Sequence, residues 1–313
     1  MDKITENALK IGRAHAKDVL VIRAKVLESR MRSPGLQDQS IVQPVQPADG
    51  EQQAAILRTI SPPPGVLVAE GDSWFNYPLH DVVHELEDQH EYDVVSVAHY
   101  GDLIEGMAYE KGQLLELARQ IEKLMRRNII PKAVLLSGGG NDVAGTEFGM
   151  LLNHAQSAVP GFNLNVVEGV INERIRTAYI TILSEITGIC EGKIGKTIPI
   201  LVHGYDYPVP DGRGFLGGAP FFPGPWLEPG FRTKGYHDLP GRIRLARDLI
   251  DRFNTMVQGI AGLEPFAHVH YIDLRNTLQT GPKYETWWDN ELHPTVKGFR
   301  AIADKFATAL AAL

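Results

Sequence analysis

A single cysteine, Cys190, stands in a chain of 313 residues. No intramolecular disulfide can form, and one chain cannot assemble a thiolate metal cluster. Cys190 follows Gly188 and Ile189 at the end of a helical pattern, which reads as a buried thiol rather than a nucleophile. Positive charge is also in short supply. Lys and Arg number 31 against 38 Asp and Glu, for a formal net charge of −7 with the two signs scattered. Nucleic acid and anionic membrane both ask for a basic face, so neither is expected as the main partner. Long apolar runs are missing, and nothing reaches the roughly eighteen residues that a membrane span needs. The start, Met1-Asp-Lys-Ile-Thr-Glu-Asn, has no basic region leading into an apolar one, unlike a secretory signal. With Met1 as the native start, the expected location is cytoplasmic. There is no internal repeat, no G-x-x-x-x-G-K-[ST] or G-x-G-x-x-G loop, and no His-Glu-x-x-His cluster. Neither a metal nor another cofactor is expected.

What is present begins with an apolar fraction of 43%, ordinary for a globular protein with a sizeable core. Residues 1 to 32 read as a helix. Ile4, Ala8, Ile11, His15, Val19, Ile22 and Val26 recur at steps of three and four and mark one face. That face suits packing on the chain's own domain or, alternatively, docking a second copy to form a homo-oligomer. The Pro- and Gln-rich stretch from Ser33 to Gly50 reads as an extended linker or surface arm. The chain thus divides into residues 1–50 and a domain over 51–313.

Within that domain strands alternate with helices. Apolar runs at 66–70, 93–98, 133–137, 198–203 and 269–273 read as strands, and amphipathic stretches at 80–89, 103–127, 168–190 and 295–310 as helices. The alternation predicts the α/β class, a parallel sheet covered by helices on both faces. Two segments interrupt it. Residues 143–167 have no clear period. Residues 205–240, an insertion crowded with Pro, Gly and aromatics, are too aromatic for disorder and follow a strand's carboxyl end. They read either as a wall or lid over a binding crevice, with Phe221, Phe222 or Trp226 lining it, or as a loop packed on the sheet edge.

Three predicted strands run into unusual chemistry. The first, Val66-Leu-Val-Ala-Glu70, leads to Gly71-Asp-Ser73-Trp74. Open α/β sheets bind ligands at strand carboxyl ends, and a helix following Ser73 would aim its N–H groups near the hydroxyl. Alone, Gly-Asp-Ser is also ordinary turn chemistry. The second strand leads to His99-Tyr100-Gly101-Asp102 and the third to Gly138-Gly-Gly-Asn141-Asp142. A further block, Trp287-Trp-Asp289-Asn290-Glu291-Leu-His293-Pro, lies downstream of the fifth strand. Acyl transfer needs a nucleophile, a base and oxyanion donors. Ser73 can supply the first and His293 the second. The backbone N–H groups of Ser73 and Gly101, with the Asn141 amide, can supply the third. A glycine at 101 lets a reacting carbonyl come close to the backbone.

In this order the blocks resemble those of the SGNH, or GDSL-type, hydrolases. The match rests on Ser73, Gly101, Asn141 and His293 and covers roughly residues 65 to 313. The resemblance implies a three-layer αβα sandwich with a five-stranded parallel sheet, flavodoxin-like in order. It also implies hydrolysis of an ester or thioester through an acyl-serine, without metal. The G-x-S-x-G elbow of other α/β-hydrolases is not matched, since residues 71–75 read Gly-Asp-Ser-Trp-Phe. The family places an Asp three residues before the catalytic His, and here Asn290 stands there, flanked by Asp289 and Glu291. Asp289 is the expected third member if the turn lets it reach Nδ1. Asn290 or a backbone carbonyl is the alternative, and Glu291 is expected to face solvent.

Trp74 and His203 are further candidates for substrate contact, as are Tyr205-Asp206-Tyr207 and Arg213; His203 reads equally as a buried ring bonded to backbone. Asp72 and Asp142 are expected to hold their loops. The reading is a carboxylesterase for a small or medium ester. A carbohydrate O-acetylesterase and a lysophospholipase or thioesterase are alternatives, and a non-catalytic binding module is the outlier. With an unperturbed histidine as base, the rate would rise through pH of roughly 6–7.

Overall fold

The computed structural model describes residues 1–32, 63–145, 147–217 and 223–313. Phe221, Phe222 and the linker lie outside the described residues. Five strands form one parallel sheet: β1 (Val66–Glu70), β2 (Asp93–Ser96), β3 (Ala133–Leu136), β4 (Ile200–His203) and β5 (Val269–Ile272). Their spatial order is β2-β1-β3-β4-β5, the doubly wound flavodoxin-like order. The three inner strands are apolar and buried almost throughout, whereas edge strands β2 and β5 are half-exposed. This is what a sheet covered on both faces requires.

Helices α2 (Val82–His90) and α7 (Val296–Ala311) pack together on one face. Helices α4 (Lys111–Arg126), α5 (Arg176–Ile194) and α6 (Leu239–Ala261) pack in sequence on the other. The result is a three-layer αβα sandwich. Right-handed crossovers account for the split: the chain winds from β1 out to β2, then reverses and steps from β3 to β5. The reversal leaves a crevice at the carboxyl ends of β1 and β3, where open sheets bind their ligands.

Several elements depart from the sequence pattern. The stretch 103–127 is two helices, α3 (Ile104–Tyr109) and α4, separated by Glu110 in an extended conformation. The helix ending in α5 starts at Leu164 and passes through a π-helical stretch, Gly169–Ile175. The residue pattern leaves 239–261 unassigned, yet α6 is the longest helix over the sheet. Its start is specified locally: Asp238 caps Gly241 N–H, and Pro240 sits in the first turn, where its missing donor costs nothing. Among the described residues no helix is long and apolar enough to cross a membrane.

The first helix, α1 (Lys3–Arg32), packs on α5 and α4 through a face rotated from the expected one and sharing Ala8, His15 and Val19 with it. Ile4, Ile11 and Ile22 are exposed, at 47%, 41% and 37%. The buried stripe is Thr5, Ala8, Leu9, Gly12, Ala16, Val19 and Arg23. Small residues win because they let two backbones approach closely. A Cβ on Gly12 would lie 2.4 Å from the Thr181 carbonyl oxygen, and one on Gly188 would lie 2.8 Å from Ala16 Cβ. Polar ties complete the seam. His15 Nδ1 lies 2.6 Å from Glu185 Oε1, and Arg23 pairs with the buried Glu122 at 2.6 Å.

Gly12→Leu tests this seating. Leucine has the better helix propensity, by about 1 kcal/mol, but overpacking against the α5 backbone costs more, so a net loss of about 1–3 kcal/mol is expected. Urea unfolding of the two proteins measures it. An unchanged or raised midpoint would mean that α1 does not seat on α5 through Gly12.

Candidate active site

Ser73 and His293, distant in sequence, meet above the carboxyl ends of β1 and β3. Ser73 Oγ lies 2.8 Å from His293 Nε2, and both side chains are buried. The other ring nitrogen, Nδ1, lies 3.0 Å from Asn290 Oδ1. The same oxygen accepts the backbone N–H groups of Leu292 and His293, each at 3.0 Å. Two backbone donors identify that atom as the amide oxygen. An oxygen can only accept, so Nδ1 must carry the proton. Nε2 is then left with its lone pair toward the serine hydroxyl, the arrangement a general base needs.

Asp289, the expected third member, does not reach the ring. Its Oδ2 accepts from Tyr77 Oη at 3.1 Å and from Asn290 Nδ2 at 3.2 Å. Asn290 Nδ2 also donates to Tyr77 Oη at 2.9 Å. The order outward is therefore Ser73, His293, Asn290, Asp289, with the carboxylate one hydrogen bond behind the amide. Tyr77 adds a second restraint, its ring stacked on the imidazole with centroids 4.1 Å apart. No motif marks Tyr77 in the sequence. Burial pushes the His293 pKa down to about 3, because an imidazolium there would lose its hydration. The neutral amide beside Nδ1 does little to reverse this. The acid limb expected from an unperturbed histidine is thus displaced.

The oxyanion candidates come together on the same crevice. Ser73, Gly101, Asn141 and His293 line one cleft of about 230 Å³, with Tyr100, Pro223 and Trp226. Gly101 has a φ of +84°, and a Cβ there would meet nothing within 4 Å. The glycine thus answers to its left-handed backbone, not to crowding. Asn141 Nδ2 spends one hydrogen on the Asp102 carbonyl, at 2.9 Å, which keeps the second for another acceptor. Among the described residues neither Ser73 N–H nor Gly101 N–H has an internal acceptor. A tight turn follows Ser73, with Trp74 N–H on Asp72 Oδ1 and the Phe75 and Asn76 N–H groups on the Asp72 carbonyl. The helix expected over 80–89 is present as α2, and its first N–H, that of Val82, donates back to the Trp74 carbonyl at 3.1 Å.

Buried side chains lace the loops together. Asp72 Oδ1 also accepts from Ser137 Oγ at 2.7 Å, and its Oδ2 from Tyr205 Oη. Tyr205 Oη in turn accepts Gly140 N–H at 3.1 Å. Asp142 Oδ2 takes Ile104 N–H at 2.9 Å; burial pushes its pKa up to about 6. Glu291, expected to face solvent, is wholly buried. Its carboxylate accepts the backbone N–H groups of Gly212, Trp226, Leu227 and Glu228 at 2.7–3.0 Å. Desolvation holds its pKa above the ordinary range, opposed by these four donors. Arg213 donates to the carbonyls of Trp288 and Asp289, both at 3.0 Å. The described part of the 205–240 insertion is therefore tied to the loop that carries His293, and forms a fixed wall.

Other candidates sort cleanly. Trp226 forms part of that wall, its ring 5.5 Å from the imidazole and nearly perpendicular to it. Trp74 is buried, donates Nε1–H to the Leu292 carbonyl at 3.1 Å and borders a second cavity of about 60 Å³. His203 does not touch either cavity. It is fully buried behind Trp74, their rings stacked at 5.6 Å, with Nδ1 2.6 Å from the Gly204 carbonyl. Asp206, Tyr207 and Arg213 are likewise occupied by internal partners. Among the described residues no group of three or more His, Cys, Asp or Glu is placed to hold a metal ion.

No protein-family model matches the chain, and no curated protein does. Among solved structures it is similar to a carbohydrate acetylesterase from Sinorhizobium meliloti, at 12% identity over 79% of this chain and 98% of that one, with a TM-score of 0.43. It is also similar to a carbohydrate esterase family 3 from Talaromyces cellulolyticus, at 15% identity over 79% and 96%, TM-score 0.41. A third is a psychrotrophic esterase from Pseudoalteromonas sp., at 13% identity over 79% and 97%, TM-score 0.38. At this identity and score the likenesses bear on neither activity nor substrate.

The geometry of the imidazole sets a pH signature. A base must be deprotonated to act, and burial holds His293 far below the usual histidine value. The acid limb of kcat/KM should therefore fall below pH of about 5, not near 6.5. Asn290→Asp puts a carboxylate against Nδ1, stabilises the imidazolium and should move the limb upward. Initial rates across pH, with fluorescence to confirm folding, check both. A wild-type limb at 6–7, or no displacement in the variant, would contradict the arrangement.

Proposed function

We propose that this chain is a serine ester hydrolase of the SGNH type, with Ser73 as nucleophile and His293 as base. The observation that carries the reading is the 2.8 Å contact from Ser73 Oγ to a ring nitrogen whose opposite N–H is committed to Asn290. In the first half-reaction Nε2 takes the hydroxyl proton as Oγ bonds to the ester carbonyl carbon. The carbonyl electrons move onto oxygen, which the Ser73 and Gly101 N–H groups and the Asn141 amide receive. Collapse of this intermediate breaks the bond to the alcohol oxygen, which leaves with the proton from Nε2. Water, deprotonated by the same nitrogen, then repeats the attack on the acyl-serine and releases the acid.

Asn290 and Asp289 act behind the ring. The amide holds the tautomer, and the carboxylate, through Asn290 Nδ2, opposes the charge that develops on the imidazole. A binding module would gain nothing from this. Burying a histidine as a neutral base against a serine costs stability and offers no ligand contact in return.

Hydrolysis of p-nitrophenyl butyrate by the wild type, Ser73→Ala and His293→Ala, with labelling by a fluorophosphonate, tests the reading. Expected is turnover by the wild type, stoichiometric labelling at Ser73, and a loss of at least about a thousandfold in kcat in each variant. A wild type that neither turns over nor labels would remove the hydrolase reading.

A further inference from the structure

Two cavities meet at Ser73, and only one of them contains His293. The open cleft holds His293 with Tyr100, Gly101, Pro223 and Trp226. The other, of about 60 Å³, lies among Phe148, Leu227, Leu249, Ile250, Phe253 and Leu292. Ser73, Asn141 and Ala144 border both. If the chain is the hydrolase proposed above, the chemistry assigns an occupant to each. The leaving oxygen must sit within reach of the proton on Nε2, so the alcohol portion belongs in the cleft that contains His293. The acyl substituent lies on the opposite side of the carbonyl carbon, and the cavity without His293 is the one left to it.

We infer that this second cavity is an acyl site, and that the substrates are esters of apolar, unbranched carboxylic acids of short chain length. The alcohol portion lies in the roomier cleft, of about 230 Å³, and is read loosely. The lining of the acyl cavity supports the inference. Its two acidic residues are already spent: Asp72 on Ser137, Trp74 and Tyr205, and Asp206 on the N–H groups of Tyr207, Asn276 and Leu278. Neither offers a free charge to a polar acyl group. An acetyl group would bring one methyl to these walls. Each further methylene buried there raises kcat/KM by about fourfold until the space is filled.

Two isomeric esters separate acyl from alcohol recognition. Ethyl butanoate and butyl acetate have the same formula and differ only in which side of the ester carries the chain. In a pH-stat assay of the wild type, kcat/KM for ethyl butanoate should exceed that for butyl acetate by at least about tenfold. Equal values, a preference for butyl acetate, or faster hydrolysis of peracetylated xylose would each overturn the acyl assignment. Ile250→Trp narrows the cavity from a half-buried position, and the ratio of ethyl butanoate to ethyl acetate should fall at least about tenfold. An unchanged ratio in the folded variant would again overturn it. If the variant does not fold, the isomer pair on the wild type still decides. Ser73-dependent hydrolysis with the wrong order removes only the acyl assignment. No Ser73-dependent hydrolysis of any ester removes the hydrolase reading and this inference together.

Discussion

One oxygen atom organises the active site. Asn290 Oδ1 accepts three N–H groups at once, two from the backbone of Leu292 and His293 and one from the imidazole. The two backbone bonds shape the turn that brings His293 to Ser73, and the third fixes which ring nitrogen is the base. An aspartate there could accept the same three donors. It could not also donate to Tyr77 Oη and Asp289, as Asn290 Nδ2 does. A carboxylate at 290 would be wholly buried between Asp289 and the equally buried Glu291. Repulsion and desolvation would then act together on three adjacent acids. The amide avoids that cost and still orients the ring.

The same economy of buried polar groups holds the loops. The apolar sheet positions strand ends, but the reactive residues sit on the loops beyond them, where packing alone is weak. Asp142 and Glu291 close the gap by accepting backbone N–H groups from neighbouring loops, and Asp72 by accepting the Ser137 and Tyr205 hydroxyls. Each unmet donor in such a place would cost roughly 1–3 kcal/mol, so the loops hold one arrangement together or lose it together. That interdependence ties the described part of the aromatic, Pro-rich insertion to its neighbours. Glu291 makes its wall continuous with the loop that bears His293.

How far the sequence alone could be read follows the same division. Sheet, layers and the crevice were legible because β1, β3 and β4 are buried on both faces and must be apolar, and because Ser73, Gly101 and Asn141 each follow a strand. The face of α1 was not legible. Periodicity ranks isoleucine above glycine and alanine, whereas a close helix crossing selects for the smaller residues. Helix α6 was hidden because its start adjoins the Pro- and Gly-rich insertion and arginines interrupt its apolar face. The choice between Asp289 and Asn290 could not be made from adjacency. It depends on a turn in which Asp289 N–H returns to the His293 carbonyl at 2.9 Å. Tyr77 and Glu291 carry no local signal at all, since their partners lie far away in the chain.

A neutral residue beside His293 raises an energetic question, because the imidazolium that the proposed mechanism requires needs an opposing charge. A unit charge at about 4 Å contributes roughly 4 kcal/mol at an effective dielectric of 20. Asp289 acts through Asn290, so its charge is about one hydrogen bond further from the ring. Since the interaction falls inversely with distance, roughly half of that attraction survives a doubling of separation. The remainder comes from the Asn290 carbonyl dipole, which points its negative end at Nδ1–H, and from the face of Tyr77, whose π density lies against the ring at 4.1 Å. Charge stabilisation is thus spread over three groups. Each is weaker than a direct carboxylate, and none of them is strong enough to protonate the base at rest. On the proposed mechanism these groups are in place before the proton arrives; they leave the histidine neutral in the ground state and act most strongly on the imidazolium, which is where a catalyst gains rate.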